Sequence, residues 1–223
     1  MSNNLVNQLT QIRQTIPHSV RLIAVTKKVS LEAMRIVYNE GVRDFGENKL
    51  QEALEKQQHL QDLPDICWHF IGHLQTNKAK RAIECFNWIH SVDSLKLAEK
   101  LDYYTQEALK NKIIAQKPQI CLQVKILPDD NKYGWSSEEL YIDLESLKSL
   151  KNLNFRGLMT ILPLGLSNSE ILTTFQKVRD LSHNLRDSFD SNFDQLSMGM
   201  SGDYLQAIEA GATMVRLGTI IFR

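Results

Sequence analysis

The stretch QLSMGMSGDYLQAIEAGATMVRLGT, residues 195–219, shows the pattern that repeats throughout the chain. An apolar segment at 195–200 is followed by an amphipathic segment at about 203–210 and by a second apolar segment at 213–217. Two short apolar runs joined by a helical stretch are typical of parallel strands connected by a crossover helix. This stretch therefore predicts a βαβ unit.

The same alternation extends from this stretch back towards the beginning of the chain. The predicted strands are 21–26, 42–46, 67–71, 88–92, 119–126, 155–160, 195–200 and 213–217. The predicted helices between them are 30–40, 48–60, 75–85, 94–111, 136–150, 169–187 and 203–210. Ser30 is expected to cap the first of these helices and Gly41 to end it.

Eight such units favour a single-domain (β/α)8 TIM-type barrel of the α/β class over a doubly wound open sheet, which the same alternation also permits. An extra N-terminal helix is predicted over residues 4–16, where Leu5, Leu9 and Ile12 form an apolar stripe. We expect this helix to cover the gap left after the eighth strand. Because no Pro/Gly/Ser-rich linker divides the chain, we predict one domain over residues 1–223.

Composition narrows the classes of function. Lysine and arginine together number 26, as do aspartate and glutamate, so the 223-residue chain has a net charge of zero. This balance predicts no general attraction to nucleic acid or to an anionic membrane, and no apolar run approaches the roughly 20 residues of a membrane span. The N-terminus lacks the pattern of a secretory signal. The three cysteines show no CxxC spacing, which favours free thiols and a cytoplasmic protein.

The ends of the strands are where a TIM-type barrel binds its ligands. The first strand runs into Lys27 and Lys28. An amine at the barrel mouth is partly dehydrated, which favours the neutral, nucleophilic form that makes a Schiff base with an aldehyde. Two solvated lysines on an ordinary loop are the simpler alternative.

The segments after the seventh and eighth predicted strands resemble a phosphate-binding cup. Small residues precede a helix there, Ser201 adds a hydroxyl group, and Gly218 and Thr219 offer backbone donors. Loops at these two positions often hold phosphate in TIM barrels. Ordinary turn chemistry, with Asp203 as a helix cap, is the alternative.

Three further polar residues lie at or near strand ends. Arg216 stands between apolar residues in the last strand, where an unpaired charge is costly, so it requires a polar partner. This partner is either a group in the barrel or an acidic side chain in an ion pair. The second strand leads into Glu47 and Asn48, which we expect at the same rim, with helix capping as the competing role of Asn48.

No metal site is predicted. The chain has six histidines, and His69 and His73 are four residues apart, but Gly72 and the strand-like surroundings argue against one helical face. A zinc site needs three or four convergent ligands, and no HExxH motif is present. Neither a GxGxxG dinucleotide loop nor a P-loop occurs.

Taken together, these segments resemble the pyridoxal phosphate homeostasis protein family. The matching segments are Ala24-Val-Thr-Lys27, Phe45-Gly-Glu-Asn48, WHFIGHLQTNK at 68–78, Gly157-Leu-Met159, LSMGMS at 196–201 with Asp203, and Val215-Arg-Leu-Gly218. The resemblance implies a single barrel related to the N-terminal domain of alanine racemases. It also implies that pyridoxal 5′-phosphate (PLP) is the cofactor, held as an internal aldimine on Lys27.

The resemblance further implies how the cofactor is held. The implied cofactor-binding residues are Lys27, Asn48, Met159, Ser201, Arg216, Gly218 and Thr219. Among them, Ser201 and the backbone at 218–219 would hold the phosphate, and Arg216 would face the pyridine nitrogen. This chain departs from the family in having Thr26, where Ser is more common, and in stopping at Arg223 instead of continuing with Gly and a short tail.

These roles favour a carrier over an enzyme. Because a guanidinium group can only donate hydrogen bonds, Arg216 would leave the pyridine nitrogen unprotonated and the electron sink weak. In the related racemases, the second acid/base group is a tyrosine that comes from a separate C-terminal β-domain and a partner subunit, and this chain has no room for such a domain. We therefore expect a monomeric regulator of PLP (vitamin B6) and of amino and keto acids, without catalytic residues and with PLP-dependent apoenzymes as acceptors. The alternatives are a PLP-dependent racemase or decarboxylase of the same barrel type, a metal-dependent barrel hydrolase, and a pure interaction module.

Overall fold

Eight parallel strands close into a barrel in the computed structural model, which describes residues 2–129, 132–189 and 192–223. The strands are β1 (Arg21–Val25), β2 (Asp44–Glu47), β3 (Cys67–Phe70), β4 (Trp88–Val92), β5 (Gln119–Gln123), β6 (Asn154–Met159), β7 (Gln195–Ser197) and β8 (Met214–Leu217). Each strand pairs with the next one, and β8 pairs with β1. The predicted TIM-type barrel is confirmed, and the open-sheet alternative is wrong.

The helices lie outside this barrel. They are α1 (Ser2–Gln14), α2 (Leu31–Asn39), α3 (Leu50–His59), α4 (Ala79–Cys85), α5 (Leu95–Lys110), α6 (Ser137–Ser149), α7 (Asn168–Arg186), α8 (Tyr204–Glu209) and α9 (Thr219–Phe222). A 3-10 turn at Thr76–Lys78 begins the helix that was predicted over 75–85. The short α9 was not predicted.

Local sequence signals explain several helix ends. The Ser30 hydroxyl accepts the N–H of Ala33 and caps α2, as predicted. Gly41 follows that helix with a φ of +87°, a conformation that glycine adopts without strain. Ser136 and Ser167 form capping boxes at the starts of α6 and α7.

Two strands end three residues earlier than the sequence pattern predicted. The predicted strand 195–200 ends at Ser197 because Gly199, with a φ of +94°, turns the chain towards α8. The predicted strand 119–126 ends at Gln123, whose carbonyl accepts the N–H of Trp135 from the following loop. In both cases the apolar pattern continues past the strand into the loop at the barrel mouth.

Helix α1 covers the gap at the barrel seam, as predicted. It packs against α2, which follows the first strand, and against α9, which follows the last. Leu5, Leu9 and Ile12 on its inner face are buried. Each fully buried leucine or isoleucine side chain contributes about 1.5–3 kcal/mol to stability. No helix in the described ranges combines the length and the apolar character that a bilayer crossing requires.

The buried apolar residues form two clusters. The large one lies between the strands and the surrounding helices. The small one is separate from it and consists of Ile23, Trp88, Cys121, Met159 and Met214. All three cysteines are free, as predicted from their number and spacing.

Gly157 allows β6 and β7 to approach each other closely. Its φ is +151°, and a Cβ atom at this position would lie 1.8 Å from the carbonyl oxygen of Gln195. Since that oxygen belongs to the paired backbone of β7, it cannot move without disturbing the barrel.

We therefore expect Gly157→Ala to lower the free energy of unfolding by about 3 kcal/mol or more. Urea unfolding followed by circular dichroism measures the change. Gly202→Ala is the matched control, because a Cβ atom there meets nothing within 4 Å, and its effect should stay within about 0.5 kcal/mol. Equal stabilities of the two variants would contradict this interpretation of Gly157.

Candidate cofactor site

A cavity of about 540 Å³ opens at the carboxyl ends of the strands. Six of the seven predicted site residues line it: Lys27, Asn48, Ser201, Arg216, Gly218 and Thr219. The seventh, Met159, does not line the cavity and is fully buried in the small apolar cluster. Further lining residues that the sequence analysis did not single out include His73, Gln123, Lys132, Tyr133 and Ile161.

The loops after β7 and β8 meet at one side of this cavity. The Ser201 hydroxyl oxygen accepts the N–H of Ile220 at 3.4 Å. In the described part of the chain, the backbone N–H groups of Gly218 and Thr219 have no acceptor. A Cβ atom at Gly218 would lie 3.1 Å from the carbonyl oxygen of Val25, so this loop packs against the end of β1. The Ser201 hydroxyl and the two free N–H groups together suit an anion such as phosphate.

Asp203 occupies the N-cap position of α8, as the alternative proposed, but its side chain makes no capping hydrogen bond to the helix. Its carboxylate instead accepts the N–H of Met200 at 2.6 Å and closes the β7 loop on itself. Burial raises the pKa of Asp203, while this hydrogen bond and the charge of Arg216 act in the opposite direction.

Arg216 is buried and held by neutral oxygens. Its Nη1 donates to the carbonyl oxygen of Ser197 at 2.5 Å and to the hydroxyl oxygen of the same residue at 2.7 Å, and its Nη2 donates to the carbonyl of Thr160 at 2.8 Å. No acidic residue of the described ranges forms a salt bridge with it, so the ion-pair alternative is wrong there. Burial lowers the pKa of Arg216 to about 10, partly offset by Asp203, and the group therefore stays charged at neutral pH.

Two N–H groups of Arg216 remain without an acceptor in the described chain. A guanidinium group carries five N–H donors, and the three bonds above use three of them. The remaining donors belong to Nε and Nη2. Because Arg216 lines the cavity, it can donate to a ligand atom there while the Ser197 and Thr160 oxygens hold it in place.

Lys27 lies in a tight turn directly after β1. The turn is closed by the N–H of Val29, which donates to the carbonyl of Thr26 at 2.9 Å. The Lys27 side chain is exposed, lines the cavity and makes no hydrogen bond or salt bridge with the described residues. Lys28 does not line the cavity; it has a φ of +59°, and its backbone N–H donates to Glu52 at 2.6 Å.

A buried ionic network fixes the turn that carries Lys27. The ammonium group of Lys56 donates to the Thr26 carbonyl at 2.6 Å, to Glu47 at 2.8 Å and to Glu52 at 2.6 Å. The Thr26 hydroxyl also donates to Glu47, at 2.5 Å. These contacts use every N–H of the ammonium group, and Glu52 also accepts from Lys28. The network therefore holds both sides of the turn.

The network also explains why the side chains of the two residues after the second predicted strand lie in different places. Glu47 is fully buried beneath the turn and does not reach the rim, whereas Asn48 lines the cavity and does not cap α3. Burial raises the pKa of Glu47, while its hydrogen bonds with Lys56 and Thr26 act against this rise. Burial acts on Glu52 in the same direction, but the hydrogen bonds from Lys56 and Lys28 outweigh it and lower the pKa of Glu52.

A second buried polar group runs through the barrel away from the cavity. The His69 ring contacts Asp44 at 2.8 Å and the His90 ring at 2.9 Å, and His90 contacts the hydroxyl of Ser197 at 2.7 Å. Burial lowers the pKa of both histidines. From the sequence, His69 was weighed only as a metal ligand, so this group was not predicted. No local signal could have revealed it, because the two histidines come from different strands and the register of β3 and β4 places His69 opposite Trp88.

Asp44, Cys67 and His69 form a cluster of metal-ligand types, with their ligand atoms within 4.8 Å of one another. However, the guanidinium of Arg21 lies 3.6 Å from Asp44 and already supplies a positive charge. Burial and the nearby Asp44 carboxylate raise the pKa of the Cys67 thiol to about 12, so this residue is a neutral thiol at pH 7. We interpret the cluster as the polar end of the histidine group.

The rim of the cavity opposite Ser201 contains an aromatic pair. The His73 ring stacks on Tyr133 with a centroid distance of 3.7 Å, and its Nδ1 contacts Asp93 at 2.9 Å. This pair joins the loop after β3 to the loop after β5. Since the pair lies far apart in sequence, only the fold brings it together.

A larger cavity of about 700 Å³ lies at the other end of the barrel, lined in part by Trp68, Asn87 and Gln119. TIM-type barrels bind substrates and cofactors at the carboxyl ends of their strands, so size alone does not make this cavity the functional site. The smaller cavity brings together an amine, a guanidinium group and a set of free hydrogen-bond donors. It is therefore the candidate cofactor site.

A barrel with a lysine at the end of β1 and an anion cup after β7 and β8 defines a class of protein. The family model described as "Alanine racemase, N-terminal domain" matches residues 2–223. An alanine racemase of Clostridium difficile 630 has the same fold, with a TM-score of 0.78 at 15% identity over 98% of this chain and 56% of that chain.

More similar relatives narrow this class. The pyridoxal phosphate homeostasis protein of Synechocystis sp. is 51% identical over 213 residues, covering 96% of this chain and 95% of the relative. The protein of the same name from Escherichia coli K12 is 33% identical over 237 residues, covering 99% and 96%. The structure of PipY from Synechococcus elongatus PCC7942 with PLP bound has a TM-score of 0.90 at 43% identity, covering 98% of this chain and 100% of that one. The chain therefore belongs to the alanine racemase N-terminal domain family and, within it, to the pyridoxal phosphate homeostasis proteins.

Replacing Lys56 tests the network beneath the Lys27 turn. Lys56→Met leaves Glu47 buried without its counter-charge and removes one of the two donors to the Thr26 carbonyl, and we expect it to lower the free energy of unfolding by about 3–5 kcal/mol. Urea unfolding at pH 7 measures this. Lys100→Met on exposed helix surface is the control, expected within about 0.5 kcal/mol of the parent protein. A Lys56→Met protein as stable as the control would refute the role given to the network.

The buried histidines predict how stability depends on pH. Their pKa values in the folded protein lie below that of an unfolded histidine, about 6.5, so the unfolded chain takes up protons first on acidification. The free energy of unfolding should be at its full value above about pH 7 and should fall below about pH 6.5 by up to about 2.7 kcal/mol per pH unit for two histidines. Urea titrations between pH 7.5 and 5.5 measure the slope, and His90→Gln should reduce it by about half. A stability that rises on acidification in this range would show that the rings are charged in the folded state.

Proposed function

We propose that this chain binds PLP covalently through Lys27 and acts as an intracellular carrier that contributes to PLP homeostasis. A single observation supports this proposal. The free amine of Lys27, the unoccupied donors of Ser201, Gly218 and Thr219, and the guanidinium of Arg216 all line the same cavity of about 540 Å³. PLP has an aldehyde, a phosphate and a ring nitrogen at separate positions, one for each of these groups.

The attachment of PLP requires only one reactive group of the protein, the amine of Lys27, which lines the cavity. Lys27 would hold PLP through its amine, since an amine condenses with an aldehyde to form a C=N bond and the aldehyde oxygen is released as water. No oxidant or second substrate is needed. The network of Lys56, Glu47 and Glu52 holds the turn rigid, so the amine is presented to the cavity from a fixed backbone position.

The role of carrier rather than enzyme rests on Arg216. When bound, PLP supplies an electron sink whose strength depends on a protonated ring nitrogen. A guanidinium donates to that nitrogen and cannot protonate it at neutral pH, so strong carbanion chemistry is not supported. The names of the relatives support the homeostasis role, and PLP-dependent apoenzymes are the acceptors that a carrier of this cofactor would serve.

A PLP-dependent racemase is the second candidate, and one observation favours it. Tyr133 lines the cavity and has a hydroxyl group that could serve as an acid or base. Its ring is engaged in the stack with His73, which favours a structural role at the rim. Steady racemisation of an amino acid at about 1 s⁻¹ or faster, lost in Tyr133→Phe, would support this candidate.

We further propose that the protein is a cytoplasmic monomer. Its three cysteines are all free thiols, which suits a reducing compartment. Light scattering on the PLP-loaded protein tests the oligomeric state, and a dimer at low micromolar concentration would overturn this part of the proposal.

Substitution of Lys27 tests the attachment. The protein loaded with PLP should be yellow, and borohydride reduction should leave one cofactor bonded to a peptide that contains Lys27. Lys27→Ala should lose both the colour and the reducible adduct. Lys28→Ala is the matched control and should keep them, since Lys28 does not line the cavity. An adduct retained in Lys27→Ala, or absent from the parent protein, would reject the proposal.

A further inference from the structure

A continuous hydrogen-bonded chain connects the cofactor cavity to the opposite end of the barrel. From Arg216 the contacts run to the Ser197 hydroxyl at 2.7 Å, to His90 Nδ1 at 2.7 Å, from His90 Nε2 to His69 Nδ1 at 2.9 Å, and from His69 Nε2 to Asp44 at 2.8 Å. Arg216 is 3% exposed, Ser197 and both histidines are fully buried, and only the Asp44 carboxylate reaches solvent. We call these five residues the interior chain.

The two ends of the interior chain determine the direction of every bond in it. Arg216 can only donate, so the Ser197 oxygen accepts from it. At the other end, the Asp44 carboxylate can only accept, so His69 carries its proton on Nε2. A neutral His69 then offers an unprotonated Nδ1, which must accept from His90 Nε2.

The remaining bond follows from the neutral state of His90. With its proton on Nε2, His90 has an unprotonated Nδ1, so the Ser197 hydroxyl donates to it. All donors therefore point from the arginine towards the aspartate, and each of the three side chains between them uses one donor and one acceptor within the interior chain. The reverse direction would require Ser197 to accept from both neighbours, which leaves its own hydrogen without a partner within the chain.

The surroundings of the interior chain favour neutral rings. Burial lowers the pKa of both histidines, and the charges of Arg21 and Arg216 act in the same direction on His90. Asp44 acts the other way on His69, but it is paired with Arg21 as well. The indole of Trp88 stacks on the His69 ring and Arg156 lies over that indole, while Cys67 beside Asp44 remains a neutral thiol.

We propose that Asp44 sets the direction of the interior chain, and that His69, His90 and Ser197 act through it as positioning residues which hold Arg216 towards the ring nitrogen of the cofactor. The last step rests on the proposed PLP binding. The direction of the chain does not, because it follows from contacts within the protein itself. The two parts can therefore be tested separately.

The first experiment determines the proton positions in the cofactor-free protein. Long-range ¹H–¹⁵N correlation spectra of protein with ¹⁵N-labelled histidine at pH 7.5 distinguish the two neutral tautomers and the charged ring, and His69→Gln and His90→Gln assign the signals. We expect both rings to be neutral with the proton on Nε2. A proton on Nδ1 of either ring, or a charged ring, would overturn the proposed direction. If one variant fails to fold, the other still assigns its own ring in the parent spectrum, and a proton on Nδ1 of that ring is enough to overturn the proposed direction.

The second experiment removes the hydroxyl group that links the interior chain to Arg216. Ser197→Ala should weaken PLP binding about tenfold, measured by absorbance titration, and should shift the ¹⁵N resonance of the ring nitrogen in labelled PLP. Ser182→Ala removes an equally small hydroxyl that is buried on α7, outside the interior chain, and should leave both values within experimental error. A purely structural serine would alter stability without moving the ring-nitrogen resonance.

The outcomes of the second experiment separate the two proposals. Parent affinity and an unchanged resonance in Ser197→Ala would overturn the positioning role while leaving PLP binding intact. Absence of PLP binding in the parent protein would overturn the proposed function, and the tautomer measurement would still decide the direction of the interior chain.

Discussion

The pairing of β8 with β1 is the constraint on which the site depends. Ala24 lies opposite Leu217 in this pair, so the loop that follows each strand emerges beside the other. The close approach of Gly218 to the carbonyl of Val25 is a direct consequence. Lys27 and Gly218 of the cup are 191 residues apart in sequence, and only closure of the barrel makes them neighbours. An open sheet with the same strands would place them at opposite edges.

Among the buried charged side chains, Glu47 and Arg216 are compensated in different ways. Glu47 is compensated by the ammonium group of Lys56, and this ionic network supports the turn that carries Lys27. Arg216 has no such counter-ion in the described chain and is held by carbonyl and hydroxyl oxygens. Because neutral acceptors leave part of the charge uncompensated, Arg216 suits an electron-rich ligand atom in the cavity. The same buried groups therefore stabilise the fold and define what the cavity can bind.

Local patterns in the sequence were sufficient for the fold, and six of the seven predicted site residues line one cavity. Apolar periodicity located every strand, and the small residues after β7 and β8 located the cup. Met159 was misplaced because the end of a strand does not specify whether a side chain points into the cavity or into the apolar interior. Glu47 was expected at the rim for the same reason. The interior chain and the stack of His73 on Tyr133 join residues from separate strands and loops, so no local spacing could reveal them.

The central claim is that one cofactor bridges Lys27 and the cup formed by Ser201, Gly218 and Thr219. A crystal structure of the protein loaded with PLP tests it most directly. We expect continuous electron density from the Nζ atom of Lys27 to the cofactor, with the phosphate against the cup. Attachment to Lys132, which lines the same cavity, or a phosphate bound away from the cup would contradict the account.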